Sequence, residues 1–474
     1  MKNHVLNCIV PAPVSVSFRD GHFALKNLRS IFAENGLERF AAEAAELCAA
    51  FGIPAVTGTD PDADLVIRRS AEPGKENWTL DVTPDAVTLA GGDDAGVFYG
   101  LQALTQIFAA AAIRGVHCAE IECGHVEDAP RFGWRGCMLD SARHCQSKET
   151  VKAVIRMAAA YRLNVFHWHL TDNQGWRIHT GSVPRSASQD SYTPGFFTKA
   201  DLQEIAAYAK KNFVQIVPEI DIPGHSRSIL NAFPQFACDS EHPGNEFCIG
   251  NPDAVEFLKK LFAELFEIFP DSKFIHFGGD EAELTHWEKC PRCQAAMKNG
   301  NFRNLRELEN HFLTQLTRFA LEKGRTPIVW GAGVLHPSDT IVQNWLDIRE
   351  PFRHIANGNK VIMSIHSSYY LDYPANASEP AETWMFALPE DGVYLADPYV
   401  IWEKEWNDKI LGPETCLWTE YVPEWRVFQK LLPRMGAFAE VAWSRPENKE
   451  WSDYKRRSEC LRAAGYEDYL RTLR

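Results

Sequence analysis

The chain has 474 residues, 45% of them hydrophobic and 24% charged, which is the balance of an ordinary globular protein and enough length for two or three domains. Its net charge of −14 argues against nucleic acid and anionic membrane as partners. No run approaches the ~18 apolar residues of a membrane span, and residues 1–24 lack a basic segment followed by a long apolar one, so the sequence reads as cytoplasmic.

In chain order, residues 37–51 and 95–112 carry helical patterns, and 64–69, 78–82 and 86–89 carry strand patterns. They predict a small α/β domain with an antiparallel sheet over residues 1–127. Glu127-Asp128-Ala129-Pro130 marks a break. Beyond it, strand patterns recur at 136–140, 164–170, 214–219, 274–277, 327–330, 341–344, 361–365 and 415–418. Helical patterns at 148–161, 199–212, 254–269, 305–323 and 424–443 separate most of them. Eight strands alternating with helices over residues 128–474 predict a (β/α)8 barrel. Residues 331–340 are too short for a full helix, and 367–414 form a long irregular connection of the kind that is usually functional.

The predicted strand ends are unusually polar. The first is followed by Asp140, Arg143 and His144. The second carries His167, His169 and Asp172; the third, Glu219, Asp221 and His225. The fourth reads Phe274-Ile-His-Phe-Gly-Gly-Asp280-Glu281, an apolar strand, two glycines for a sharp bend, and two adjacent carboxylates. Later ends supply Trp330, Trp345, Tyr370, Asp372, Trp418 and Glu420. An Asp after a strand is often a helix cap and a Trp there is often packing. So many acids, histidines and aromatics at one barrel mouth exceed what capping explains.

Two chemistries suit such a mouth. His167 and His169 face the same side of a strand, and with His225 and Asp280 they would hold a divalent metal for hydrolysis. Metal-free glycoside hydrolysis is the alternative, favoured by the 14 Trp and 13 Tyr and by the acid pair. Adjacent residues do not easily flank a sugar from opposite faces, so a substrate that brings its own 2-acetamido nucleophile removes the difficulty. A barrel that binds sugar without turnover is a third reading, from a different class. Twelve cysteines show no framework spacing. Cys290-Pro-Arg-Cys293 supplies half of a structural zinc site, and reads as a helix-start turn with two free thiols.

The strand-end motifs resemble those of glycoside hydrolase family 20, the β-N-acetylhexosaminidases. The likeness runs through Trp134-Arg-Gly…Leu139-Asp-Ser-Ala-Arg-His144, Asn164-Val-Phe-His-Trp-His-Leu-Thr-Asp172, Pro218-Glu-Ile-Asp-Ile-Pro-Gly-His225 and His276-Phe-Gly-Gly-Asp-Glu281, with Gly96-Val-Phe-Tyr-Gly-Leu-Gln102 similar to the accessory domain. It implies a retaining exo-enzyme acting on terminal β-linked GlcNAc or GalNAc through an oxazolinium, with no cofactor and no catalytic metal. Glu281 would be the acid/base. Asp280 would bind the acetamido N–H, helped by Tyr370 on its carbonyl. Arg143, Asp372 and Glu420 would hold hydroxyls, and Trp330, Trp345 and Trp418 would wall the pocket. His169, Asp172, Asp221 and His225 would orient the acid pair. Asp280 is expected to push the pKa of Glu281 upward. The sequence departs from the family at Gly331-Ala332, where an acidic pair is usual, at His179-Thr-Gly-Ser182, and in the loops 182–193 and 374–409.

Overall fold

The structure is a computed structural model that describes all residues except 1–3, 72–73, 114–118, 185–186, 188–193, 400–403 and 473–474. Much of the loop 182–193 therefore lies outside the described residues.

The N-terminal domain is a seven-stranded sheet of β1 (Ser15–Ala24), β2 (Ser30–Ala33), β3 (Val56–Thr57), β4 (Leu65–Arg69), β5 (Trp78–Val82), β6 (Val87–Gly91) and β7 (Glu120–Asp128), in the order β1-β7-β5-β6-β4-β2-β3. It is mixed. The β1-β7-β5-β6 half is antiparallel, whereas β6-β4-β2-β3 is parallel. The cause is local: helix α1 (Glu38–Ala50) lies between β2 and β4 in sequence, and a helical crossover between neighbouring strands forces them parallel.

Helix α2 (Asp94–Ala112) begins at an Asp93 cap whose carboxylate accepts from the Gly96 N–H. At 19 residues it is long and apolar enough to cross a bilayer, although polar residues interrupt its apolar run. It is 89% buried within the protein, packed between the sheet and the barrel. Gly100 allows this packing, because a Cβ there would sit 2.2 Å from the Leu89 side chain.

The second domain is a closed parallel barrel whose strands pair in chain order: β8 (Gly136–Asp140), β9 (Val165–His169), β10 (Gln215–Glu219), β11 (Phe274–His276), β12 (Thr326–Trp330), β13 (Ile341–Asn344), β14 (Val361–Met363) and β15 (Ile410–Leu417). Helices α3 (Lys148–Ala160), α4 (Lys199–Lys211), α5 (Pro252–Ile268), α6 (Pro291–Asn299) and α7 (Leu305–Glu322) surround the first half. No helix fills 331–340, as its length predicts. The helical pattern over 424–443 is broken: Val427–Leu431 ends before Pro433, which has no amide hydrogen to continue the ladder, and Arg434–Trp443 starts afresh. Strand β15 is longer than predicted and includes Glu414, whose charge masked the pattern. The helix Trp451–Ala463 was also missed; its Arg457 donates to the Ile9 carbonyl at 2.7 Å, tying the N-terminal segment to the barrel's end.

Candidate functional site

The barrel interior below the mouth is unusually charged. Glu219, at the end of β10, is completely buried. Its carboxylate accepts from Trp330 Nε1 at 2.8 Å, lies 3.1 Å from His167 Nε2 and 3.0 Å from His276 Nδ1, and pairs with His169 Nδ1. Glu414 holds His167 Nδ1 at 2.7 Å and accepts from Gln343 Nε2 at 2.7 Å and from Trp134 Nε1 at 2.9 Å. Burial opposes ionisation of Glu219, yet the histidines hold its carboxyl well below the usual range. Sequence reasoning noticed Glu219 at a strand end without giving it a role, and it missed Glu414.

These contacts bear on the metal reading. His167 and His169 do lie on one strand, but both ring nitrogens of each face carboxylates, His169 Nε2 reaching Asp172 at 3.0 Å. By distance, His167–Glu219–His276, His169–Asp172–Asp221 and Asp221–His225–Asp280 would fit around an ion. In the second set both nitrogens of His169 face carboxylates, which favours protons there rather than free lone pairs; in the first, His276 Nδ1 accepts from the Gly278 N–H at 3.0 Å.

Above this layer the mouth assembles. Arg143 is 7% exposed and gripped from three sides: Nη2 is 2.8 Å from Asp172 Oδ2, Nη1 is 3.2 Å from Asp140 Oδ2, and Nε donates to Gln174 Oε1 at 3.1 Å. Glu420 is 3.6 Å away, and the guanidinium lies 5.0 Å over the Trp418 ring. Asp172 also meets His225 Nδ1 at 3.2 Å, so Arg143, Asp172, His169 and His225 form one network. Burial opposes the charge on His225, but Asp172 and Asp221 hold it protonated, well above its usual range.

The two glycines before the acid pair are required by geometry. Gly278 has φ +66°, and a Cβ on it would sit 1.7 Å from Asp221 Oδ1. Gly279, at φ +95°, donates its N–H to the same oxygen at 3.3 Å. This turn sends the neighbours into different surroundings. Asp280 is 8% exposed, and its Oδ1 has no hydrogen-bond partner among the described residues. The Glu281 side chain is 58% exposed, with Oε2 3.6 Å from His225 Nε2. Burial, with the nearby charge of Glu281, pushes Asp280 up to about 6. The His225 contact lowers Glu281 instead. The expected upward shift therefore falls on Asp280, because His225 outweighs Asp280 at Glu281. Asp221 is driven well above the carboxylate range by burial and by Asp280.

Aromatic rings enclose the remaining sides. Trp330 is 1% exposed and forms floor rather than wall, with its ring 5.9 Å from that of Trp418. Trp418 lies 6.0 Å from Tyr370 and 4.9 Å from His169. Trp345 is half-buried, and its Nε1 lacks a partner among the described residues. Asp372 is buried, its Oδ1 is likewise unpartnered there, and burial with Glu420 nearby raises it to about 8. The departure at Gly331-Ala332 is filled from elsewhere in the chain: Glu350 Oε1 accepts from the Gly333 N–H at 2.9 Å, and a Cβ at Gly331 would lie 3.0 Å from its Oε2.

Family models for the catalytic domain and for domain 2 of glycosyl hydrolase family 20 match residues 132–446 and 7–129. The chain belongs to glycosyl hydrolase family 20. A β-hexosaminidase of Akkermansia muciniphila is 31% identical over 407 residues, covering 80% of this chain and 82% of its own. Among solved structures, a family 20 exo-β-N-acetylglucosaminidase of Vibrio harveyi in complex with N-acetylglucosamine superposes with a TM-score of 0.90 at 25% identity, over 98% of this chain and 78% of its own. A β-N-acetylhexosaminidase of Bacteroides fragilis does so with 0.85 at 28% identity, over 98% and 96%. The protein is accordingly a glycoside hydrolase of the β-hexosaminidase kind, and its barrel with a preceding sheet domain is the family 20 architecture.

Proposed function

We propose that the enzyme removes terminal β-linked N-acetylhexosamine from the non-reducing end of its substrate, with retention, through an oxazolinium intermediate. The unequal surroundings of two adjacent carboxylates carry this reading. Asp280 is buried with one oxygen unpartnered among the described residues, which suits an acceptor for an acetamido N–H. Glu281 is open to the mouth and to a glycosidic oxygen.

In the first step Glu281 gives its proton to the leaving oxygen as the C1–O bond breaks, and the acetamido carbonyl oxygen bonds to C1. Asp280 accepts the N–H as positive charge develops on the ring formed, and Tyr370 donates to the oxygen. In the second step Glu281 takes a proton from water, whose oxygen bonds to C1 and releases the acetamido group. Arg143, Asp372 and Glu420 are the groups for ring hydroxyls, and Trp345 and Trp418 for the apolar ring face. His169, Asp172, Asp221 and His225 set the orientation and charge of the pair.

The test uses nitrophenyl β-GlcNAc, β-GalNAc and 6-sulfo-GlcNAc, with the first-formed anomer read by NMR. Retention is expected. Glu281→Gln is expected to lose ~10²–10⁴-fold on substrates with poor leaving groups and much less on activated aryl glycosides. An inverted product, or full activity of Asp280→Asn on a natural disaccharide, would overturn the reading.

A further inference from the structure

The two loops that carry the acid machinery also carry four cysteines. The loop after β10 runs from Asp221 and His225 to Cys238 and Cys248. The loop after β11 runs from Asp280 and Glu281 to Cys290 and Cys293. All four sulfurs lie within 4.8 Å of one another. Cys248 Sγ is 3.7 Å from Cys290 Sγ and 3.7 Å from Cys293 Sγ, and Cys238 Sγ is 3.8 Å from Cys293 Sγ. A regular tetrahedron of sulfurs around zinc, with Zn–S of ~2.3 Å, has an edge of about 3.8 Å. A disulfide would bring a pair to ~2.05 Å, and none of the four is so joined.

We propose that Cys238, Cys248, Cys290 and Cys293 bind a structural zinc ion that fastens the loop of His225 to the loop of Glu281. The surroundings are built for it. Cys238 and Cys248 each directly follow a residue of the isolated antiparallel bridge Ala237–Phe247, and the Cys248 N–H donates to the Phe236 carbonyl at 2.8 Å, so both thiols project from one small knuckle. Cys290 and Cys293 open helix α6, with Pro291 at its first position. The exposed N–H groups of a helix start favour thiolate there.

Gly250 lets the knuckle approach this turn: a Cβ on it would lie 2.5 Å from the Arg292 backbone and 2.6 Å from Cys293 Cα. Its N–H lies on the side of the Cys293 sulfur and favours the thiolate there. Arg292 reaches Cys290, and its charge faces Cys248 and Cys238 while its guanidinium donates to the carbonyls of Gln235 and Ala237. A dianionic zinc tetrathiolate thus meets a cation and an N–H donor of this chain.

Four sulfur ligands from the protein close the coordination shell, which makes the site structural and separate from the hydrolytic step. Each thiol releases its proton on binding, and nothing is oxidised or reduced. The same two loops are joined beside the cluster by His286 Nδ1 to Glu246 Oε2 at 3.1 Å and by Trp287 Nε1 to the Phe247 carbonyl at 2.9 Å. The metal would complete that seam. The sequence concealed it because Cys238 and Cys248 lie far along the chain from Cys290-Pro-Arg-Cys293 and have no motif spacing of their own.

The test is elemental analysis of the full-length chain, purified without chelator or metal resin. One zinc per chain is expected, released by a mercurial reagent as the cluster thiols react. The protein refolded with cobalt should show the intense visible bands of tetrahedral cobalt tetrathiolate. Cys290→Ser with Cys293→Ser should lose the metal. Should that variant not fold, Cys238→Ser at the half-buried vertex and the cobalt spectrum of the unaltered protein decide the matter. A chain that folds without zinc and titrates as free thiols, even after zinc is offered on refolding, would overturn the site. Iron in place of zinc would overturn the choice of ion. Metal content is read independently of turnover, so this result stands apart from that of the hydrolase reading.

Discussion

His225 Nε2 faces Glu281 Oε2 at 3.6 Å, and both residues hold left-handed backbone, at φ +50° and +49°. Neither is glycine, so both conformations are sparsely populated ones that the surrounding contacts must maintain, a cost that concentrates at functional sites. The pairing sets the charge of the acid pair. The adjacent His225 imidazolium lowers Glu281, and its charge also opposes the rise of Asp280. His225→Asn removes a cation that favours both carboxylates, so both pKa values rise. The pair titrates as a unit, and both limbs of the pH profile of kcat/KM should move to higher pH. An unmoved profile, measured on one aryl glycoside across pH 4–9, would remove His225 from this role.

Gly278→Ala tests the turn that separates the two carboxylates. The new Cβ meets Asp221 Oδ1 at 1.7 Å in a φ +66° backbone, so Asp221 or the turn must shift. A displacement of ~1 Å costs on the order of 10²-fold in turnover. The expected variant is folded, with kcat reduced far more than KM is changed. Wild-type kcat would show that the turn does not position the pair.

Arg143→Lys keeps the charge and loses the planar fork. Arg143 contacts Asp172, Asp140 and Gln174 through three different nitrogens, which an ammonium on a flexible stem cannot match. Loss of one charge-assisted contact to a sugar hydroxyl, about 1.5–3 kcal/mol, predicts a fall in kcat/KM of ~10–10²-fold. A 4-deoxy or 3-deoxy substrate should lose less in the variant than in the parent enzyme. Equal losses would place Arg143 away from those hydroxyls.

Much of this site is legible in the sequence because parallel barrel strands end at one face. Reading Asp280, Glu281, His225 and Arg143 as strand-end residues therefore already places them together. What pattern cannot carry is the field among them. Adjacency predicts a raised Glu281, and only the folded position of His225 shows that the rise belongs to Asp280. Glu414 escaped for a similar reason: a charged residue inside a strand breaks the apolar pattern, and its partners His167 and Gln343 are distant in sequence. The parallel half of the first sheet was hidden because β2 is too short for a clear alternation, although α1 beside it already implied a crossover.

Asp372→Asn should separate stability from function. Burial and the nearby Glu420 raise the folded-state pKa of Asp372 to about 8. The unfolded value is ~3.9. The folded chain therefore binds the proton more tightly, and the stability this contributes is lost as pH rises from the unfolded value through about 8. An amide needs no proton to remain neutral. The variant should match the parent in thermal midpoint near pH 4 and exceed it at pH 8–9, by about 1 °C for each 1 kcal/mol in a chain of this length. It should bind sugar less well at the same time, because the carboxyl that meets a ring hydroxyl has become an amide. Midpoints measured across that pH range, beside KM for one β-hexosaminide, check both halves. A lower midpoint at pH 8–9 would show that the Asp372 carboxylate is held by partners stronger than its burial.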